Sequence, residues 1–214
     1  MQNHLFEGNR AGMAQDILPR VLHRCPHVVR HGFLGETFAS GLREHIIAHE
    51  TECHTGMIGN APDGRLSTDI RNSRMCTSLG EFGAVLADRL LAFLPELMVE
   101  MGLSPFSPKL LDLVAVIYGE GGHYQKHVDV FHGKHRPDQP RRVTCLYYFS
   151  QTPHRYTGGA LRLFSLSQEE TVDVEPESDM LVVFPSWLPH QVLPVGLPSG
   201  EFADSRFAVT ALFG

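Results

Sequence analysis

The texture of the chain changes at Pro108, and that change constrains the fold more than any other feature. Beyond it, short runs of β-branched and aromatic residues alternate with Gly, Pro and Asp breaks. The runs fall at 111–118, 124–129, 143–150, 160–164, 171–174, 181–184, 191–195 and 206–213. Eight short strands at this spacing predict an antiparallel sandwich that closes as a double-stranded β-helix, of the jelly-roll or cupin-like kind. Such a barrel has a mouth in which a site can be built.

Ahead of Pro108 the periodicity is helical. Residues 36–50 carry Phe38, Leu42, Ile46 and Ile47 at helical spacing. Residues 79–101 form the strongest helix, with Phe82, Leu86, Leu90, Phe93, Leu94 and Leu97 on one apolar face and Gly102 as a stop signal. Residues 1–26 read as peripheral, with a short helix around 13–22, and HVVRHGF at 27–33 reads as a short strand. Residues 61–74 (APDGRLSTDIRNSR) are a turn-rich loop. The expected fold is therefore mainly β, or α+β. It is a single domain over 1–214, in which 1–108 give helical support and a substrate loop, and 109–214 form the double-stranded β-helix core.

Composition narrows the function classes. Hydrophobic residues make up 43% and charged residues 20% of the 214, which argues against wholesale disorder and against a fibrous chain. A net charge of −6 argues against a dedicated nucleic-acid binder. The longest apolar stretch, 110–118, is broken by Asp112 and falls far short of the ~20 residues of a membrane span. The first residues lack a basic start followed by an apolar core, so no secretory leader is expected. Cys25, Cys53, Cys76 and Cys145 make no CxxC, and they read as reduced thiols of a cytoplasmic protein.

His127 and Asp129 lie two apart on an expected strand, so an imidazole and a carboxylate emerge on one face. His190, just before another strand, is the candidate third ligand. Two imidazoles and one carboxylate on one face of a metal leave open positions, the facial triad of non-haem Fe(II) oxygenases. With 13 histidines in the chain, HxD alone is expected by chance. His123 is set away from the pair by four residues of extended chain. His132 and His135 fall in the polar loop 131–142, and His45 and His49 read as an exposed helical face.

The surroundings of HxD carry more weight. Residues 118–129 read YGEGGHYQKHVD, which fits YxxGxxYxxHxD. Downstream lie RRVTCLYYFS (141–150), TGGALRLF (157–164), VEPESDMLVVFPSWLPHQVLPV (174–195) and RFAVTALFG (206–214). These segments resemble the prolyl 4-hydroxylase superfamily of Fe(II)/2-oxoglutarate dioxygenases, nearest in motif to the hypoxia-pathway prolyl hydroxylases and their bacterial relatives. The resemblance covers about half the chain, with a weaker match in STDIR (67–71).

The resemblance implies Fe(II) on His127, Asp129 and His190, with 2-oxoglutarate and O2 as cosubstrates and ascorbate as a further cofactor candidate. It implies Arg206 as the partner of the distal carboxylate of 2-oxoglutarate, a role that suits a bidentate fork that keeps its charge. Tyr148 is implied to hydrogen-bond that carboxylate, with Thr144, Tyr118, Leu161 and Val192 lining the pocket. Thr210, on the face of Arg206, could add a hydroxyl. Arg71 and Arg74, beside the STDIR segment, are substrate-contact candidates, with salt bridges to nearby carboxylates as the competing reading. The implied reaction is hydroxylation of a C–H bond, first of a prolyl residue in a peptide or protein. A free or carrier-bound amino acid or a small natural product is the alternative substrate. A cupin-like metal-binding protein without oxygenase activity is the rival from another class. Two departures stand out: an insertion at 195–205 expected to loop out beside the site mouth, and Leu212 where the family commonly has Trp.

Overall fold

The structure, a computed structural model, describes residues 24–58, 65–130 and 140–214. The helix expected at 13–22, the tip of the 61–74 loop, and His132 and His135 lie outside the described residues.

Two sheets form the body of the molecule. The larger contains, in spatial order, β1 (Val28–His31), β11 (Met180–Pro185), β7 (Val143–Tyr148), β14 (Arg206–Phe213), β5 (Leu110–Tyr118), β4 (Arg74–Cys76) and β2 (His54–Thr55). The smaller has β10 (Thr171–Val174), β9 (Leu161–Phe164), β12 (His190–Val192), β6 (His123–His127) and β3 (Arg71–Asn72). A two-stranded ribbon, β8 (Thr157–Gly158) with β13 (Val195–Gly196), joins their ends. All pairings are antiparallel. This is the double-stranded β-helix that the run of short strands predicts.

Period-two alternation divides each central strand between two cores. On β14, Phe207, Val209, Ala211 and Phe213 face the helices, as do Cys145 and Tyr147 on β7 and Ala115 and Ile117 on β5. The residues between them, including Ala208, Leu146 and Tyr148, turn toward the smaller sheet and pack on Leu161 and Leu163. Val114, Val116 and Tyr118 meet Tyr156 and Val192 in the same gap. The gap between the sheets is where a site can form.

Two helices cover the outer face of the larger sheet. They are α1 (Glu36–Ala48) and α2 (Gly80–Glu100), whose Leu42, Ile46, Leu86, Leu90, Leu94 and Leu97 are buried. Asp179 on the sheet side ties down the start of α1. Its carboxylate accepts the backbone N–H groups of Leu34 and Gly35, each at 2.8 Å, and the Tyr147 hydroxyl at 2.8 Å. The end of α2 closes through Gly102 at φ +71°, where Leu103 N–H reaches back to Met98 O at 2.9 Å.

Residues before Pro108 contribute more than helical support. They supply β1 and β2 at the edges of the larger sheet, β4 beside β5, and β3 at the edge of the smaller sheet. Strands of two to four residues carry too little alternation to register as a pattern. Strand β6 ends at His127 rather than Asp129, and β12 begins at His190 and ends at Val192.

Candidate active site

His127 and His190 are direct neighbours across the β6–β12 ladder, so strand pairing brings together residues far apart in sequence. Their rings lie 4.2 Å apart. Asp129 sits just past the end of β6, where the chain bends, and its N–H donates to Ser186 O at 2.9 Å. The bend achieves what a continued strand was expected to do. Asp129 Oδ1 lies 3.6 Å from His127 Nε2, and Oδ2 lies 3.5 Å from His190 Nε2. One ligand atom from each residue falls within 4.8 Å of the others, and this is the one such group among the described residues.

The orientation of each ring is fixed from behind. His127 Nδ1 bonds Gln125 O at 2.8 Å, and His190 Nδ1 bonds Leu188 O at 2.9 Å. A carbonyl can only accept, so each Nδ1 carries a hydrogen, and the neutral form of each ring presents an Nε2 lone pair. Burial pulls the His190 imidazole down to about 4, against the upward pull of Asp129, which keeps it neutral at ordinary pH. Burial opposes charge on Asp129 too. Attraction to His190 in its protonated form, the hydrogen bond and attraction of a protonated His127, and the hydrogen bond from Thr144 outweigh it and hold the carboxyl below the usual carboxylate range. Three acceptors thus face one another without a donor between them. That arrangement suits a divalent cation with nitrogen and oxygen ligands and fits Fe(II).

Thr144 serves this carboxylate. Its hydroxyl donates to Asp129 Oδ2 at 2.8 Å and lies 3.0 Å from Ser186 Oγ, so Ser186 holds Asp129 through both backbone and side chain. The expectation had set Thr144 against the distal end of a cosubstrate. It lies instead at the ligand end of its strand, because it pairs with Leu212 while Tyr148 pairs with Ala208 near Arg206.

Arg206 is 1% exposed, yet no carboxylate pairs with it among the described residues. Its Nε donates to Gly159 O at 2.7 Å and its Nη2 to the Tyr148 hydroxyl at 3.3 Å. The guanidinium lies between two rings, with centroid distances of 5.0 Å to Tyr118 and 4.9 Å to Tyr148. Burial pushes the Tyr148 phenol up to about 12 and raises that of Tyr118, with Arg206 opposing both, so both remain O–H donors. A buried cation flanked by donors is an anion site, and its fork matches a carboxylate. Leu161 and Val192, paired across β9 and β12, form the apolar floor between the anion site and the triad. Thr210 shares the inward face of β14 with Arg206, opposite Val114 and Leu146.

The structure separates the two substrate-contact candidates. Arg71 lies over the Tyr124 ring at 4.8 Å, and that ring stacks on His127 at 3.5 Å, so Arg71 stands at the lip of the site. Arg74 does not. Its register opposite Ile117 turns it to the helix side, where it bonds Glu50 at 2.7 Å and lies over Phe202. The competing salt-bridge reading is the one that holds. The 195–205 segment also departs from expectation. It pairs through β13, donates from Leu197 N–H to the Glu120 carboxylate, and lines a cleft with Ile47, Glu50 and Arg74 that includes none of the triad.

Sequence reasoning had assigned no role to Tyr124, Tyr156, Ser186 or Gly159. Tyr124 lay in the quoted motif, three residues before His127, and could have been found there. Tyr156 sits near Arg206 through an irregular stretch, and Ser186 follows a strand end, so neither carried a periodic signal. His123 bonds the carbonyls of Gly121 and Asp69, and His45 stacks on His49 at 4.2 Å, both away from the triad.

Comparison with known proteins agrees with this geometry. The sequence model of the 2OG-Fe(II) oxygenase superfamily matches residues 113–214. An uncharacterised PKHD-type hydroxylase of Synechocystis is 32% identical over 134 residues, covering 59% of this chain and 43% of that protein. Human Egl nine homolog 1 is 28% identical over 212 residues, covering 88% of this chain and 45% of that protein. The chain thus spans less than half the length of these two relatives. A Pseudomonas putida prolyl-4-hydroxylase superposes with a TM-score of 0.60 at 25% identity, over 92% of this chain and 98% of its own. A Trichoplax adhaerens prolyl hydroxylase, solved with a hypoxia inducible factor peptide fragment, shares the fold at a TM-score of 0.62 and 18% identity, over 97% of this chain and 93% of its own. No helix among the described residues is long and apolar enough to cross a membrane.

Proposed function

We propose that this chain, whose residues 113–214 match the sequence model of the 2OG-Fe(II) oxygenase superfamily, is such an oxygenase and hydroxylates a prolyl residue of a peptide or protein. The observation that carries the chemistry is the placing of two complementary sites on one gap. One is a triad of acceptors that suits a divalent cation, and the other is a buried guanidinium whose fork suits a carboxylate. Fe(II) and a 2-oxoacid with a second carboxylate complete both at once.

His127, Asp129 and His190 would hold the metal, with Thr144 and Ser186 fixing the carboxylate. Arg206 and the Tyr148 hydroxyl would hold the distal carboxylate of 2-oxoglutarate. The bound iron, with 2-oxoglutarate and O2, supplies the oxidative decarboxylation to succinate and CO2 that drives C–H hydroxylation. The chain's own contribution is positioning and exclusion of water. Leu161, Val192 and Tyr118 wall the gap against solvent, and the ring of Tyr124 shields His127. Arg71, at the lip, would meet the backbone carbonyls or an acidic side chain of the substrate.

The prolyl assignment draws on the likeness to the Pseudomonas putida prolyl-4-hydroxylase and to Egl nine homolog 1. Its test is a mass-spectrometric screen of proline-containing peptides with Fe(II), 2-oxoglutarate and ascorbate. The expected result is a gain of one oxygen atom that maps to proline and vanishes when that proline is replaced by alanine. Oxygen transfer only to free amino acids would overturn the prolyl assignment while leaving the oxygenase chemistry standing.

A further inference from the structure

Two of the four cysteines face each other at the edge of the larger sheet. The β2–β4 register pairs His54 with Met75 and Thr55 with Arg74, and one further step sets Cys53 opposite Cys76. Gly56 N–H donates to Ser73 O at 2.8 Å, which makes that opposed pair a hydrogen-bonded one. Along an antiparallel ladder the two pair types alternate, so Cys53 and Cys76 form a pair of the non-hydrogen-bonded type. That is the closer type, with Cα atoms ~4.5 Å apart. Disulfides span Cα separations of roughly 4.4–6.8 Å. The Cys53 thiol donates to His49 O at 3.7 Å and the Cys76 thiol to Ser78 O at 3.6 Å, and burial, followed by interaction with Cys76, pushes the Cys53 thiol up to about 12. Cys53 is 8% exposed and Cys76 is fully buried, so Cys53 is the point of entry. Cys145 is buried on β7, and Cys25 is half-buried, bonding the carbonyls of Leu163 and Glu170.

We propose that Cys53 and Cys76 are a redox pair that forms a cross-strand disulfide when the protein meets a two-electron oxidant such as hydrogen peroxide. In the first step the Cys53 sulfur attacks one peroxide oxygen. The O–O bond breaks, Cys53 becomes a sulfenic acid, and one water leaves with the thiol proton. In the second step the Cys76 sulfur attacks that sulfenic sulfur, the S–O bond breaks, and a second water leaves. Two thiols and one peroxide give one disulfide and two waters. The raised pKa of the Cys53 thiol makes the first step slow, so the pair answers sustained rather than passing oxidant. Thiol–disulfide exchange with an added dithiol returns both cysteines to thiols, which makes the step reversible. Only Ser73 separates β4 from β3, so the bridge also restrains Arg71 at the lip of the site while leaving the triad untouched.

Peptide mapping of the full chain after hydrogen peroxide treatment and alkylation tests this, and the wild-type protein suffices. The expected result is loss of two hydrogen masses, a cross-linked peptide joining Cys53 to Cys76, and full reversal by dithiothreitol. Cys53→Ser and Cys76→Ser should each abolish the cross-link. The proposal is overturned if peroxide that has oxidised most of the Cys25 leaves Cys53 and Cys76 both alkylatable after unfolding, or if the cross-link joins any other pair.

Discussion

His127 and His190 each donate from Nδ1 to a backbone carbonyl, and this leaves both Nε2 atoms facing Asp129 as acceptors. Residues behind the ligands therefore matter nearly as much as the ligands. Thr144→Val removes the donor to Asp129 Oδ2 while keeping the shape. Losses at such supporting positions typically run 10–100-fold, so Fe(II) affinity should fall about 10-fold in anaerobic titration calorimetry, with an unchanged circular dichroism spectrum. Gly159 plays the matching part for the anion site. At φ +75°, an added Cβ would stand 2.8 Å from Arg206 Cδ. Gly159→Ala should raise the dissociation constant of 2-oxoglutarate roughly tenfold, an equivalent of about 1.4 kcal/mol, with Fe(II) binding preserved. Equal losses of both would place the damage in the fold instead. At this scale the ligands were legible because alternation on a strand is a two-residue rule, and HxD obeys it in outcome. Gly159 and Ser186 were not, since Gly159 acts through its backbone carbonyl and Ser186 through both backbone and side chain, each from a position just outside a strand.

At the scale of elements, one buried carboxylate ties the start of α1 to the sheet, beside the apolar packing of Ala39, Leu42 and Ile46. Asp179 is 3% exposed, and it accepts from Leu34 N–H, Gly35 N–H and the Tyr147 hydroxyl. Asp179→Ala leaves three donors without their acceptor in the core and should cost about 2–5 kcal/mol. The check is a urea midpoint, which should fall with an unchanged slope. A variant as stable as the parent would show that the tie contributes nothing. The eight long strands and both helices were legible because each carries several residues of one periodicity. The short strand β1 was read at 27–33, whereas β2, β3, β4 and the β8–β13 ribbon, of two or three residues each, were harder to read, since their pairing is set by the larger strands they join. The same reason explains Arg74. Its place on a short strand hid which face it takes, and pairing with Ile117 turned it toward Glu50.

At the scale of the whole molecule, the larger sheet divides labour between its faces. The helix side is a mainly apolar core that also holds the Cys53–Cys76 pair and the Tyr147–Asp179 contact, and the gap side carries the triad and Arg206. Truncation on the helix side should therefore lower stability without changing the site. Leu90, 1% exposed on α2, is a suitable position. Leu90→Ala should cost ~2–5 kcal/mol, while leaving Fe(II) and 2-oxoglutarate affinities within twofold in the remaining folded protein. A variant that keeps its stability but loses either affinity would show that the two faces are coupled. This division was partly legible from the opposed faces of 206–213 and 143–150. The assembly of both N-terminal edges into the sheets was not, because long-range strand pairing leaves no local mark.

The central claim is that one gap holds both an iron site and a 2-oxoglutarate site. Anaerobic visible absorbance tests it most directly, with Fe(II) added first and 2-oxoglutarate second. A weak charge-transfer band should appear only when both are present, and Arg206→Ala should require far more 2-oxoglutarate to reach it at unchanged iron affinity. Iron binding with no band at saturating 2-oxoglutarate would contradict the account.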